Sequence, residues 1–403
     1  MKGVKRRYRT ISISVIAILL IAISLSSCGL TNLTNGYVAS TTTAATTLQT
    51  VSPAGTGSLN LDQYKSPDIP DDAGTYAYVA RVASPSVVSI TTEATVYSSY
   101  GSYVTSGAGS GVILCTDASG EYTYIITNNH VVEGRSSITV YLNGETTGRP
   151  AVLCGNDWQS DIAVIRIEGG DFTCATLGNS AELILGQEVA AIGNPLGRLG
   201  GTVTDGIISC LSRTIAFDGV PMTLIQHSAG ISPGSSGGGL FNLYGQLVGI
   251  VNGKTAGTGV ESISYAIPID LALDRATQII EKGYVSGMPS LGLAYTQETS
   301  SGIVISSYKY NDELEATNQN TVKADDVLAI LGGKSITTVD DVRSVLSQVE
   351  VGDVIEATFI RYVSYYRYTT YTVNLTVHEY VPSGVSTPPA DTPSDTEGDM
   401  EFN

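Results

Sequence analysis

Ser236 is the residue around which chemistry can be built. It sits in residues 226–240, QHSAGISPGSSGGGL, where Pro233 fixes one backbone angle and Gly234, Gly237, Gly238 and Gly239 free four others. Such a segment is a loop, and its glycines let it turn tightly and offer bare N–H groups. An activated serine needs that setting: its hydroxyl attacks a carbonyl while neighbouring N–H groups receive the developing oxyanion. Gly234-Ser235-Ser236-Gly237-Gly238 also fits the G-x-S-x-G nucleophile elbow, so the loop suggests a serine hydrolase without choosing a fold. The plainer reading is a solvated Ser/Gly surface loop.

A serine nucleophile requires a general base, and the chain has three histidines, His130, His227 and His378. His130 follows the apolar run YIIT on the polar turn Asn128-Asn129-His130, from which an imidazole can reach across a cleft. His227 lies just upstream of the glycine loop on an expected strand and is the second choice as base. His378 belongs to a later part of the chain, as a surface strand residue. The base needs a carboxylate to fix its tautomer and stabilise its charged form. Asp161 heads the apolar strand DIAVIRI, so its carboxylate is expected to be partly buried and in need of a partner. Otherwise it is a turn residue like Asp157. The order is then His130, Asp161, Ser236. An α/β-hydrolase runs serine, acid, histidine between alternating helices, whereas His–Asp–Ser in a strand-rich chain is the chymotrypsin-type order.

A mostly β body must position these groups. From residue 86, β-branched runs separated by Gly, Asn and Asp turns continue for about 180 residues, the pattern of a barrel or sandwich. A short helix capped by Asp71 and Asp72 and running to Ala83 precedes them. A longer one over 268–282 follows, with Ile269, Leu273, Ala276 and Ile280 on one face and Gly283 as its stop. Residues 289–379 form a second unit of strands with one clear helix. Thr338 and Asp341 give that helix a capping-box start, and Val342, Val345, Leu346 and Val349 its apolar stripe.

The flanks carry addresses rather than chemistry. Residues 2–9 hold five bases and no acid, and residues 11–25 are apolar apart from three serines, which reads as an export signal. Leu25-Ser26-Ser27-Cys28 fits a bacterial lipobox with Cys28 as the lipidated residue; the alternative is an uncleaved helical anchor. Either places the rest of the chain outside the cytoplasmic membrane. The expected organisation is a signal or anchor at 1–30, a flexible Ser/Thr-rich linker at 31–70, a catalytic domain at 71–285, a second domain at 289–379 and a disordered acidic tail at 380–403. The net charge of −17, with no basic patch beyond the first nine residues, argues against nucleic-acid binding. Cys115, Cys154, Cys174 and Cys210 are expected as unpaired thiols, and no clustered His or C-x-x-C suggests a metal.

TNNHVV, SDIAVI, AIGNPLG and PGSSGG, in this order and at these intervals, resemble the HtrA/Deg family of serine proteases. The part after Pro289 is similar to that family's PDZ domain, with Leu291, Gly292 and Leu293 standing where its carboxylate-binding loop lies. The likeness covers roughly residues 76–378. It implies a chymotrypsin/trypsin-like double β-barrel followed by a PDZ domain, free of cofactor and metal and assembled as a homotrimer at the bacterial cell envelope. There it would cut unfolded or damaged exported proteins. Gly234 and Ser236 would supply the oxyanion-hole N–H groups. Three positions depart from the family: Ser235 for Asn, Ser228 for Asp, and Ala324 in a turn where Gly-Asp is common. With no acid just upstream of the serine loop, a small-to-medium apolar residue is expected before the cut bond. A catalytically weak peptide-binding chaperone or sensor of the same fold is the alternative, and a secreted esterase a third reading.

Overall fold

Two seven-stranded sheets, some of whose strands are buried on both faces, carry the site. The structure, a computed structural model, describes residues 74–98, 101–194, 201–217, 219–254, 263–364 and 367–382, all within one compact unit. The expected signal with Cys28, the linker, Asp71, Asp72 and the tail from residue 383 lie outside the described residues. Among the described residues no helix is long and apolar enough to cross a membrane.

The first sheet comprises β1 (Val87–Ser98), β2 (Gly101–Thr116), β3 (Tyr122–Asn128), β4 (Ser137–Tyr141), β5 (Arg149–Pro150), β6 (Val152–Asp157) and β7 (Ile162–Glu168), ordered β5-β4-β1-β2-β3-β7-β6. The second holds β8 (Thr176–Leu177), β9 (Glu188–Gly193), β10 (Thr202–Phe217), β11 (Val220–His227), β12 (Gly239–Asn242), β13 (Gln246–Lys254) and β14 (Ser264–Pro268). Its order is β12-β9-β10-β11-β14-β13-β8, and pairing of β12 with β13 closes it into a barrel.

Strand alternation explains why these runs read as almost continuously apolar. On β7, Ala163 and Ile165 point into the interior of the first sheet, while Ile162 and Val164 point into a shared core against the second. On β9, Val189 and Ala191 fill the second barrel, and Ala190 and Ile192 join the same shared core. Successive side chains alternate faces, so a strand between two cores needs apolar residues at every position.

Helix α1 (Tyr76–Ala83) is capped by Thr75, whose hydroxyl accepts from Tyr78 N–H at 3.1 Å. A four-residue turn, α2 (Asn129–Val132), follows β3 and carries His130. Helix α3 (Ile269–Lys282) ends at Gly283 in the left-handed region (φ +85°). It packs on β13 and β14 and also on β6 and β7, belting the two sheets together. Its buried face is Ile269, Ala272, Ala276, Ile279 and Ile280, with Leu273 only half-buried, because two sheets rather than one take its side chains.

The C-terminal part has its own core. Strands β15 (Pro289–Ser290) and β22 (His378–Glu379) pair and bring its two ends together. Between them lie β16 (Leu293–Thr299), β17 (Gly302–Tyr308), β18 (Val327–Leu331), β19 (Lys334–Ser335), β20 (Val354–Ser364) and β21 (Arg367–Thr376). Helices α4 (Asn311–Ala316) and α5 (Val339–Leu346) complete it. The capping box of Thr338 and Asp341 is present, and the backbone N–H groups of Thr337 and Thr338 hold the Asp341 carboxyl down to about 2. Helix α5 stops at Leu346, so Val349 packs from beyond its end. Tyr380 donates to Met288 O at 2.7 Å, which ties down a residue expected to begin the disordered tail. Asp325 takes the left-handed backbone (φ 67°), not Ala324, so an alanine fits this turn without strain.

His227 is fully buried on β11, and burial pushes its imidazole down from 6.5 to about 4, partly offset by the Tyr265 backbone. The unfolded chain therefore binds a proton that the folded chain refuses between pH 6.5 and about 4. Folding stability should be full above pH 6.5 and fall by roughly 3 kcal/mol on the way to pH 4. Urea titrations at stepped pH measure this, and His227→Asn should flatten that segment; an unchanged slope in the variant would assign the loss to other groups.

Candidate active site

The strand-to-turn junctions of the first sheet bring His130 and Asp161 together. β3 and β7 pair antiparallel with Asn128 opposite Ile162, which leaves His130 and Asp161 side by side just beyond the paired ends. Asp161 Oδ2 lies 2.7 Å from His130 Nδ1, and Oδ1 accepts the His130 backbone N–H at 2.9 Å. Its carbonyl oxygen accepts from Asn129 N–H at 3.1 Å and from Asn128 Nδ2 at 3.0 Å. Asp161 pays for this placement with a left-handed backbone (φ 53°), a conformation aspartate tolerates better than most residues.

The second barrel supplies Ser236 and a further residue, Asn252. Asn252 Nδ2 donates to Asp161 Oδ2 at 2.7 Å, and Asn252 O accepts the Ser236 hydroxyl at 2.8 Å. One residue thus touches both the carboxylate and the serine. Its sequence signal was faint: a polar side chain at the end of the apolar run QLVGIV. His130, Asp161, Ser236 and Asn252 line a single cleft of about 320 Å³, together with Trp158, Phe217, Val220, Met222 and Gly253.

The serine loop is pinned by the first sheet. Ser110 N–H donates to Ser236 O at 2.8 Å, Ser110 Oγ donates to Gly234 O at 2.8 Å, and Thr127 Oγ1 donates to Ser110 O at 2.7 Å. Gly237 (φ +84°) passes so close that a Cβ would lie 2.1 Å from Ser110 O, so no other residue fits there. Among the described residues the backbone N–H groups of Gly234 and Ser236 donate to no protein acceptor, whereas Gly237 N–H is bonded to Val251 O at 2.8 Å. Ser235 is buried beside them, and Ser228 Oγ accepts from Ile207 N–H at 2.9 Å.

The other singled-out residues lie elsewhere. His227 sits sealed within the second barrel, with no exposure to the cleft. His378 stacks on Tyr310 at 3.6 Å between centroids and pairs with Glu313 at 3.1 Å. Leu291 is buried in the C-terminal core, Gly292 has φ +68°, and Leu293 opens β16, the edge strand of its sheet. Gly292 N–H already donates to Ser290 Oγ at 3.1 Å. Cys115, Cys154, Cys174 and Cys210 form no disulfide among the described residues, and burial pushes Cys115 and Cys154 up to about 12. No group of three metal-ligating side chains gathers among the described residues.

A trypsin-like peptidase domain matches residues 109–250. The serine protease Do-like HtrB of Bacillus subtilis is 38% identical over 269 residues, covering 60% of this chain and 57% of that protein. The chain likewise spans 61% of the HtrA of the same organism. The serine protease Do-like HtrA of Lactobacillus helveticus is 35% identical, with 65% of this chain and 67% of the relative covered. That of Lactococcus lactis is 31% identical, with 64% and 68% covered. A solved HtrA-type protease with a decapeptide aligns at a TM-score of 0.50 and 27% identity, over 79% of this chain and all of that one. With a sheet and a closed barrel sharing a core, a serine loop pinned between them and relatives matched over two thirds of their length, the chain belongs to the HtrA family of Do-like serine proteases.

Proposed function

We propose that the chain is an envelope serine endopeptidase that cuts unfolded or damaged exported proteins, with His130, Asp161 and Ser236 as its triad. The observation that carries this reading is the 2.7 Å contact between Asp161 and His130 Nδ1, in the same cleft as Ser236. Asp161 holds the proton on Nδ1, which leaves Nε2 to act as base. Ser236 Oγ turns from Asn252 O toward Nε2, gives up its proton and attacks the scissile carbonyl. The oxyanion is received by the N–H groups of Gly234 and Ser236, which have no acceptor to release among the described residues. His130 then hands its proton to the leaving amine, and water repeats the cycle on the acyl-enzyme. Asn252 shares the load on Asp161 and is a positioning residue.

The module over residues 289–379 is read as a PDZ domain. Its edge strand β16 can accept an added peptide strand, and the loop of Leu291, Gly292 and Leu293 faces the peptide's terminal carboxylate. Membrane attachment through the N-terminus, by Cys28 or a helix, and assembly as a homotrimer belong to the same proposal. So does location on the extracytoplasmic face: DegP-like relatives, such as that of Halomonas elongata, are named periplasmic. The Ser236 hydroxyl resting on Asn252 is also what a weakly catalytic chaperone would have.

A fluorophosphonate label mapped by mass spectrometry, read beside casein cleavage, separates these. Ser236 should label, and Ser236→Ala or His130→Ala should lower kcat by about 10⁴ to 10⁶, with the double change adding little. Full casein cleavage by Ser236→Ala would falsify the assignment; folded protein that neither labels nor cleaves favours the chaperone.

Asn252→Ala should cost roughly 10-fold to 100-fold in kcat, with KM nearly unchanged, because it removes one of three hydrogen bonds on the Asp161 carboxylate. A loss confined to KM would place Asn252 in substrate binding instead.

Peptides with a free apolar C-terminus should bind the full chain better than their amides, and Ser290→Ala should tighten them several-fold by freeing Gly292 N–H. Equal binding of acid and amide would remove the carboxylate loop from the proposal.

A further inference from the structure

The two N–H groups that face the oxyanion are held by different means. Ser236 N–H belongs to the nucleophile itself, whose carbonyl accepts from Ser110 N–H at 2.8 Å. Gly234 N–H belongs to the middle peptide of a turn over residues 232–235, closed by Ser235 N–H on Ser232 O at 2.9 Å. With Pro233 second and Gly234 third at φ +95°, the turn has the positive φ that marks type II. That middle peptide belongs to no strand, so its place in the cleft depends on what holds the ends of the turn.

On the side of the nucleophile the holder is one hydroxyl. Ser110 Oγ donates to Gly234 O at 2.8 Å and accepts from Asn194 N–H at 2.8 Å. A carbonyl only accepts and an amide N–H only donates, so the single hydroxyl proton has one destination. Ser110 is fully buried, and its own N–H and carbonyl are bonded to Ser236 O and Thr127 Oγ1. Ser235 cannot replace it, since its Oγ accepts from Ser232 N–H at 3.3 Å, within the same turn. Thr204 Oγ1 donates at 2.8 Å to Gly230 O, four residues before Gly234 and away from the oxyanion donors. Among the described residues, the side-chain tie between this turn and another element is therefore Ser110 Oγ, which brings β2 of the first sheet and the end of β9 to the same point.

We propose that Ser110 is a positioning residue of the protease: its hydroxyl sets the distance and direction of Gly234 N–H, and so the strength of the oxyanion hole. This rests on the endopeptidase reading and adds to it a residue that touches no substrate atom. Loss of the hydroxyl leaves both oxyanion donors in the chain but displaces the Gly234 donor. The expected cost therefore lies below that of a deleted donor, at about 10-fold to 100-fold in kcat.

The test compares Ser110→Ala with the wild-type full chain, with rates counted per fluorophosphonate-reactive serine so that misfolded protein drops out. Two ligands of one peptide sequence, taken from a casein site that the wild type cuts, read the oxyanion hole directly. A peptidyl trifluoromethyl ketone is attacked by Ser236 Oγ at its carbonyl carbon. The hydroxyl proton passes to His130 and the carbonyl electron pair moves onto oxygen, leaving a hemiketal oxyanion in the hole. The matching peptidyl alcohol forms no such adduct. Ser110→Ala should lower kcat and weaken the ketone by one common factor, about 10-fold to 100-fold, while KM and the alcohol stay within about twofold. The pH at which the hemiketal ionises, followed by fluorine NMR, should rise by about 1 to 2. Thr204→Val removes a hydroxyl-to-carbonyl bond from the same loop and should leave the ratio of ketone to alcohol affinity unchanged. Ser110→Cys fills the site without a strong donor and should reproduce the split if the alanine variant does not fold. Equal loss of ketone and alcohol, or a lower Tm with ketone affinity intact, overturns the proposal and leaves the protease reading standing. So does a Thr204→Val variant that behaves as Ser110→Ala does. A wild type that neither labels nor cleaves ends both readings together.

Discussion

Everything at the site hangs on the Asp161 carboxylate. It takes the His130 ring and backbone on two oxygens and the Asn252 amide on one of them, drawing together a turn of the first sheet and a strand of the second. The left-handed backbone at this residue costs on the order of 1–3 kcal/mol. Hydrogen bonds to a charged acceptor contribute roughly 1.5–3 kcal/mol each. Three of them outweigh the strain, so the strained conformation is held by the interactions it makes possible. Removing any one narrows that margin, which is why the Asn252 amide matters in addition to the contact its carbonyl makes with Ser236.

Such a carboxylate can only be reached from both sides if the sheets are held in fixed register. The alternation of β7 and β9 does this: every other residue of each enters the shared core, so a slip of one residue would exchange the rows that the two cores are packed around. The belt of α3 across both sheets adds to the same constraint. Ser110 transmits it to the serine loop. Its contacts to Ser236 and Gly234, backed by Thr127 within the first sheet, tie the loop to that sheet in addition to the bond of Gly237 N–H to Val251 O in its own barrel.

These physical causes sort what was legible in the sequence. The strand runs were, because strands between two cores are apolar throughout and turn residues break them cleanly. Asp161 at the head of such a run and His130 on a polar turn were visible for the same reason: polar groups at buried strand ends need partners. Asn252 was not, since a single asparagine at a strand end carries no mark of which strand it will meet. The helix face of α3 was misread by one position because a one-sided stripe was assumed where two sheets compete for the helix. Neither could the placement of α5 be read: its capping box and apolar stripe specify a helix, but the partners of Arg343 lie more than 180 residues away, at Glu133 and Trp158. Contacts of that separation depend on the finished packing of two cores.

The same logic bears on why the serine rests on Asn252 rather than on the imidazole. The Asn252 carbonyl sits in β13, which is locked in a closed barrel, so it is a fixed acceptor at 2.8 Å. His130 sits on a four-residue turn with half of its side chain exposed, and its Nδ1 is taken by Asp161. With no substrate bound, the hydroxyl takes this fixed carbonyl. A substrate laid along Asn252 and Gly253 would exclude water from the cleft and strengthen the imidazole's claim on that proton. The geometry therefore couples the serine's choice of partner to occupancy of the cleft, through a residue whose side chain already steadies the acid.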